Sequence, residues 1–365
     1  AFDGANQTFE VDTKITYHNL EFSGSGTKTL EDDLSSTYLL GSVTVGNGIT
    51  FDGQTNTLDV PVDLTVNGTF DVGGNVDIED DLTIGASGTL NSTAAVTINI
   101  GGDWVNLGTY TYFSGDNIVF DGSSNQNITG ATTWYELTLN NAGGATVQSG
   151  PQNIEGILDI DAGAFDANDQ SVVLVSNSSG TAQMDNIGTG SYVGDLKVER
   201  LVENDKQGWR EISSPVDSTD LDDWRTNGIT MSGFTGSDFP AFGFVSAYCF
   251  NDSLSDGTPA NGWVAAGNVT DTTGPTTGWR VYLDSFDVDL DVTGNPFQGD
   301  MTINLDYQDD AGADDTEGWN LVGNPFACTI DFDAIDKSDF NLVDTAYWVW
   351  VTDGVVTPQY GLYVR

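Results

Sequence analysis

Three short phrases decide the fold: Val43-Thr44-Val45-Gly46-Asn47-Gly48, Leu64-Thr65-Val66-Asn67-Gly68-Thr69 and Leu82-Thr83-Ile84-Gly85-Ala86-Ser87-Gly88. In each, two apolar residues flank a threonine and the run closes on Gly or Asn. Alternation with a period of two puts the apolar pair on one face of a strand, and the closing residues turn the chain. The phrases start 21 and 18 residues apart. That interval suits one coil of a solenoid, in which a coil cannot bury its own apolar face and must stack on its neighbours. An antiparallel sandwich also alternates, but these phrases return at coil spacing rather than hairpin spacing. The expectation is a right-handed parallel β-helix.

Longer echoes extend it in both directions. Thr16-Tyr17-His18-Asn19-Leu20-Glu21-Phe22 matches Thr133-Trp134-Tyr135-Glu136-Leu137-Thr138-Leu139, Gly41 to Gly48 lines up with Gly156 to Gly163, and Phe51-Asp52 meets Phe165-Asp166. Residues 1–196 therefore read as one repetitive β unit. The whole composition agrees with an all-β chain. Of 365 residues 44 are Gly, and 38% are hydrophobic, enough for packed cores. With 55 acidic and only 10 basic residues, a net charge of -45, the Glu/Lys pairs that support helices are scarce, so helices should be few and short. The same charge excludes nucleic acid and anionic membrane as partners. No apolar run approaches the ~20 residues that cross a bilayer. No basic-then-apolar leader opens the sequence, which reads as a mature or trimmed chain.

Near Lys197-Val198-Glu199-Arg200 the texture changes: eight of the ten basic residues lie from there onward. This second part carries its own duplication. Gly208-Trp209-Arg210-Glu211-Ile212-Ser213-Ser214-Pro215 matches Gly318-Trp319-Asn320-Leu321-Val322-Gly323-Asn324-Pro325, and Ser246-Ala247-Tyr248-Cys249 pairs with Thr345-Ala346-Tyr347-Trp348. Gly278 to Tyr282 pairs with Gly361 to Val364 more loosely. Two β-sandwich-like modules are expected, 197–307 and 308–365. The second lacks counterparts of the strand-like runs Asp287 to Val292 and Met301 to Tyr307 and so looks truncated. Exposed strand edges are normally covered, so the missing strands are expected from further along the same longer chain or from a self-associating neighbour.

The two Gly-Trp…Pro phrases, the Thr293-Gly294-Asn295-Pro296-Phe297-Gln298-Gly299 turn and the closing Tyr360-Gly361-Leu362-Tyr363-Val364 resemble modules of large secreted surface proteins of Bacteroidota, typically exported by the type IX secretion system. In such proteins a β-helical stretch rich in Leu-Thr-Val/Ile phrases often precedes these modules. The resemblance covers most of the chain and implies an extracellular or cell-surface, structural or adhesive protein. The residues up to Arg365 do not resemble the C-terminal sorting domain of that export route, so the expectation is either that such a domain was cleaved after export or that the resemblance concerns the modules alone. Asp252-Ser253-Leu254 and Asp344-Thr345-Ala346 resemble the O-glycosylation sequon of the same phylum.

Chemistry is sparse in the sequence. Polysaccharide lyases need a basic residue beside an acidic sugar, yet residues 1–196 hold only Lys14, Lys28 and His18, all near the N-terminal end. One histidine builds no Ser/His/Asp arrangement, and no phosphate-binding loop occurs. A glycosidase needs two carboxylates, which 55 acids supply anywhere without pointing to a site. The expectation is a non-enzyme. Calcium, which takes six to eight oxygen ligands, is the expected ion, and its richest candidate cluster is Asp306, Asp309, Asp310, Asp314, Asp315 and Glu317. A second cluster is Asp217, Asp220, Asp222 and Asp223, whereas Asp77, Glu79, Asp80 and Asp81 read as a solvated edge. Trp209, Trp279, Trp319 and Tyr282 read as core. Trp104, Trp134 and Tyr135 are a candidate carbohydrate platform, which keeps surface glycans among the partners and a carbohydrate-binding or glycosidase-like β-helix as the alternative function. Cys249 and Cys328 are a candidate disulfide if the protein is extracellular.

Overall fold

The computed structural model describes residues 3–185, 187–202, 207–238, 242–254, 259–284, 287–307, 318–332, 334–335, 346–351 and 359–364. The chain divides into two compact units, Ala1–Leu201 with Thr293–Gly299, and Val202–Val292 with Asp300–Arg365. The two modules expected at 197–307 and 308–365 thus share one unit, and the Thr293–Gly299 phrase belongs with the solenoid. There Gln298 brackets one residue: Tyr192 N donates to its Oε1 (2.7 Å) and its Nε2 donates to Tyr192 O (2.9 Å).

The first unit is a β-solenoid of about ten turns. The three phrases stack as their spacing requires, Val43 against Leu64 and Leu64 against Leu82, all parallel. They lie in a nine-stranded face running from Leu20–Phe22 to Ser191–Val193. A second, six-stranded face runs from Gln7–Phe9 to Thr109–Thr111. The third face contains Leu58–Val60, Val76–Ile78, Thr97–Ile100, Asn117–Phe120 and the longer Thr132–Asn140 and Gln152–Ala162. Because alternate side chains point inward, in-register coils build apolar columns. On the third face Leu58, Val76, Ile98, Ile118, Leu137 and Leu158 form one column, all buried. Burying each such side chain stabilises the stack by about 1.5–3 kcal/mol before entropy is counted. Phe22, Phe51 and Phe70 continue the core as a ring stack with centroids 4.2 and 4.9 Å apart.

The longer echoes cross between faces. Leu20 lies on the nine-stranded face but its counterpart Leu137 on the third, and Phe51 on the six-stranded face matches Phe165 on the nine-stranded one. The repeated unit is the strand-and-turn, which fits any face, more than a fixed position in the coil. Lys28 is a further surprise, being wholly buried in the inward column that Phe51 and Phe70 continue. Its three ammonium donors are used on the carbonyls of Gly4 (2.6 Å), Ser25 (2.9 Å) and Ala5.

The second unit is antiparallel. Its four-stranded sheet has the order Gly208–Ile212, Trp279–Leu283, Ala247–Phe250, Trp263–Ala265, and a separate hairpin pairs Ala346–Val351 with Gln359–Val364. The duplication holds at the level of register: Ala247 faces Val281 and Tyr248 faces Arg280, while Ala346 faces Val364 and Tyr347 faces Tyr363. The two Gly-Trp phrases also meet, since Ser213 Oγ donates to Asn324 O (3.4 Å). The one α-helix among the described residues, Leu221–Thr226, is short, as expected, and starts at a capping box. The Asp220 carboxylate accepts from Asp222 N and Asp223 N, and Asp223 accepts from Asp220 N in return. Leu221 and Trp224, three apart, are its buried face.

Candidate functional site

The densest chemistry lies where the third face turns into the nine-stranded one. Three successive coils place the turns Pro61-Val62-Asp63, Glu79-Asp80-Asp81 and Gly101-Gly102-Asp103 directly over one another, because Leu64, Leu82 and Trp104 are in register. Gly101 and Gly102 are needed for this closeness: a Cβ would stand 2.4 Å from Glu79 O on the first and 2.4 Å from Asp81 Oδ1 on the second. The turns line a groove of about 600 Å³ that continues along Ser123 to Asn127.

A ladder of side-chain acceptors runs up this corner. Ser42 N donates to Asn19 Oδ1 (3.0 Å), Asp63 N to Ser42 Oγ (3.4 Å), Asp81 N to Asp63 Oδ1 (3.4 Å), Asp103 N to Asp81 Oδ1 (2.7 Å) and Asn127 N to Asp103 Oδ1 (2.7 Å). The first four rungs satisfy turn N–H groups just before a strand, and the last an N–H inside the strand Gln126–Thr129. The acidic members add a charge column. Asp63, Asp80 and Asp81 have carboxylate oxygens all within 4.8 Å of one another. Desolvation, then the charges of Asp81, Asp63 and Asp103, raise the Asp80 carboxyl above its ordinary value. Round the corner Asp59 and Asp121 are raised too, each by desolvation first and then by neighbours that include Asp77. An all-oxygen, like-charged corner of this kind has the donor set for a hard divalent cation such as calcium, whose binding would relieve the repulsion.

Sequence reasoning took Asp80 and Asp81 for a solvated edge and passed over Asp63 and Asp103. The signal was present: in Asp63-Leu64, Asp81-Leu82 and Asp103-Trp104 an acid sits directly before the repeated apolar start.

The other candidates are placed as follows. Of the expected calcium cluster, Asp309, Asp310, Asp314, Asp315 and Glu317 lie outside the described residues, and Asp306 N donates to Asn320 Oδ1 (3.0 Å). In the second cluster Asp220 and Asp223 cap the helix, and Asp222 pairs with Arg225 (2.6 Å), so local structure explains those acids. The carbohydrate platform is corrected. Trp104 and Trp134 point inward and are wholly buried, their rings 4.7 Å apart, with indole N–H groups donating to Thr132 Oγ1 (3.2 Å) and Gln152 Oε1 (3.0 Å). They stand at inward positions of their strands, so no sugar reaches them. Tyr135 is the half-buried remainder and lies 6.1 Å from the Tyr112 ring. Tyr112 donates to Glu155 Oε2 (2.6 Å), and desolvation, with that carboxylate, pushes its hydroxyl pKa up to about 12. Cys249 and Cys328 do not form a disulfide, and Cys249 Sγ donates to Val264 O (3.8 Å). His18 is exposed, and Ser253 Oγ donates to Asn251 Oδ1 (2.7 Å).

No family model, curated protein or solved structure matches the chain.

Proposed function

We propose that this chain is a non-enzymatic, extracellular structural or adhesive part of a bacterial surface protein of the Bacteroidota kind its phrases resemble. The observation that carries the reading is the acceptor ladder from Asn19 to Asn127. It commits polar side chains at a solenoid corner to joining coil to coil, as a spacer resisting extension requires. Calcium at Asp63, Asp80 and Asp81 would strengthen that corner by screening the charge the ladder accumulates.

Single-molecule extension tests the mechanical claim. Pulled from its two ends, the solenoid should yield in successive steps, each releasing one coil of about twenty residues, and calcium should raise the step force. One featureless low-force event would overturn the reading. Self-association, with strands of one copy completing a neighbour, predicts regular filaments of a 38.8 kDa chain in negative stain.

A second reading, glycan binding, is favoured by one observation, the pairing of the Tyr112 and Tyr135 rings beside Glu155. Oligosaccharide titration followed by tyrosine fluorescence, with Tyr135→Ala as control, tests it.

A further inference from the structure

Asn-Gly occurs four times in the chain, as Asn47-Gly48, Asn67-Gly68, Asn227-Gly228 and Asn261-Gly262. The pair is the least hindered one for a reaction of the chain on itself, because glycine has no Cβ to keep its backbone nitrogen from the preceding side chain. The first two pairs form a controlled comparison. Each is the turn from the nine-stranded face to the six-stranded one, in successive coils: Asn47-Gly48 joins Val43–Val45 to Ile49–Asp52, and Asn67-Gly68 joins Leu64–Val66 to Thr69–Val72.

Their surroundings differ. In the second turn the N–H groups of Asn67 and Gly68 both donate to Val45 O (2.8 and 3.1 Å), so the Gly68 nitrogen is held by the coil before. The Asn67 side chain is held by the coil after: its Oδ1 lies 2.2 Å from where a Cβ on Gly85 would stand, and Ser87 Oγ donates to Asn67 O (3.2 Å). Gly68 is buried, and a Cβ on it would stand 2.3 Å from Gly46 O and 2.5 Å from Ile49 O. It therefore stacks on the two ends of the first turn and leaves the residues between them, Asn47 and Gly48, projecting past the stack. Both are exposed, and a Cβ on Gly48 would meet nothing within 4 Å. Among the described residues, neither the Gly48 N–H nor the Asn47 side chain has a hydrogen-bond partner. The other two pairs are closed like Asn67-Gly68. Asn227 Nδ2 donates to Asp223 O and Asp291 O (both 2.8 Å), and Gly228 N donates to Arg225 O (3.3 Å). Gly262 is buried, and a Cβ on it would stand 2.5 Å from the Phe250 ring.

We propose that Asn47 is a site of spontaneous deamidation, chosen among the four pairs by the fold. The Gly48 nitrogen attacks Asn47 Cγ: the N–Cγ bond forms, the Cγ–Nδ2 bond breaks, and the proton of that nitrogen leaves with Nδ2 as ammonia. Water then opens the five-membered imide at either carbonyl and returns a hydrogen to the Gly48 nitrogen. Opening at Cγ gives aspartate, and opening at the main-chain carbonyl gives isoaspartate. Water is the only co-reactant, and nothing is oxidised or reduced. Both products add a negative charge, and isoaspartate adds one carbon to the main chain. In a turn that projects past the stack, that carbon leaves Val45 and Ile49 in register, whereas at Asn67 it would pull Gly68 away from Val45 O. The modification goes beyond the structural role above and does not rest on it.

The test ages the full chain in mildly alkaline buffer and maps the loss of side-chain amides by mass spectrometry of its peptides, with ammonia release followed alongside. Asn47 should convert at least about tenfold faster than Asn67, whose turn must first open locally to free the Gly68 nitrogen. In urea, where the two turns are equivalent, they should convert at similar rates. Asn47→Gln, whose longer side chain closes the ring poorly, should lose the early ammonia release, and the aged wild-type chain should keep its far-ultraviolet dichroism. Equal rates at Asn47 and Asn67 in the folded chain overturn the proposal. So does an Asn47 that converts only in urea.

Discussion

The solenoid and the second unit are built from the same residue types but hold together differently. In the solenoid every strand's partner lies one coil away, so the same contacts recur and each coil is fixed by its two neighbours. In the second unit Gly208–Ile212 finds Trp279–Leu283 some seventy residues on, and the sheet's outer face is cemented by particular side chains. Arg280 is one: it pairs with Glu211 (3.0 Å) and lies 4.2 Å over the Trp263 ring. Trp209, Tyr248, Tyr282, Phe242 and Phe244 pack around one another beside it, mostly edge to face or tilted. Repetition spreads stability evenly along a chain, whereas long-range pairing concentrates it in a few residues.

The largest test of this contrast is Trp104→Ala. It empties a fully buried site between Trp134 and Tyr110 and leaves Thr132 without its indole partner, so we expect a loss of about 3–5 kcal/mol, read by urea unfolding followed by far-ultraviolet dichroism. The transition attributable to the second unit should not move. A common shift of both would show that the units unfold as one.

The ladder makes a sharper prediction because its charge and its hydrogen bond act oppositely. Asp81→Ala removes the acceptor for Asp103 N and should destabilise by about 1 kcal/mol, whereas Asp81→Asn keeps an acceptor, removes a charge beside Asp63 and Asp80, and should be neutral or stabilising. In the second unit Asp220→Ala breaks the capping box and should cost about 1 kcal/mol, confined to that unit's transition.

The smallest effect is that of pH. Asp59, Asp80, Asp121, Glu136 and Asp159 all have carboxyls raised by desolvation, most of them also by neighbouring acids. A carboxyl raised in the folded state binds its proton more tightly there than in the unfolded chain. The associated stability is therefore present at low pH and lost as pH rises through the raised values. Mild acidification from neutral should raise the solenoid's melting temperature, and millimolar calcium at neutral pH should do the same. A fall under mild acid would mean that the rungs need their charge.

Much of the solenoid was legible because its causes are local and periodic. Val43, Leu64 and Leu82 announce both the strand and its partner, since register in a stacked coil follows from spacing alone. Trp104 stands where Leu64 and Leu82 stand, after an equally short turn, so its inward direction was present in the register and was passed over. Trp134 was harder, because the alternation of its strand breaks at a register shift just after it. The acid ladder escaped for another reason. Among 55 acids, only registration across coils separates Asp63 and Asp103 from the rest. In the second unit the duplication could be read, and the register at Ala346 and Val364 agrees with it. That the two Gly-Trp phrases share one unit depends on packing, which carries no period.

The in-register corner also sets rules for how such a chain changes length. Leu64 to Asp81 is one circuit of the coil, entering and leaving at equivalent points, with an acceptor at the end of the circuit before it and another at its own end. Excising or copying that circuit would join Asp63 to Leu82, or repeat the same junction, with the columns and rungs still aligned. Length is thus free to drift by slippage of whole circuits during gene copying, while any insertion of a few residues must bulge out at a turn. Related genes should accordingly differ from this one in steps of about twenty codons through this region.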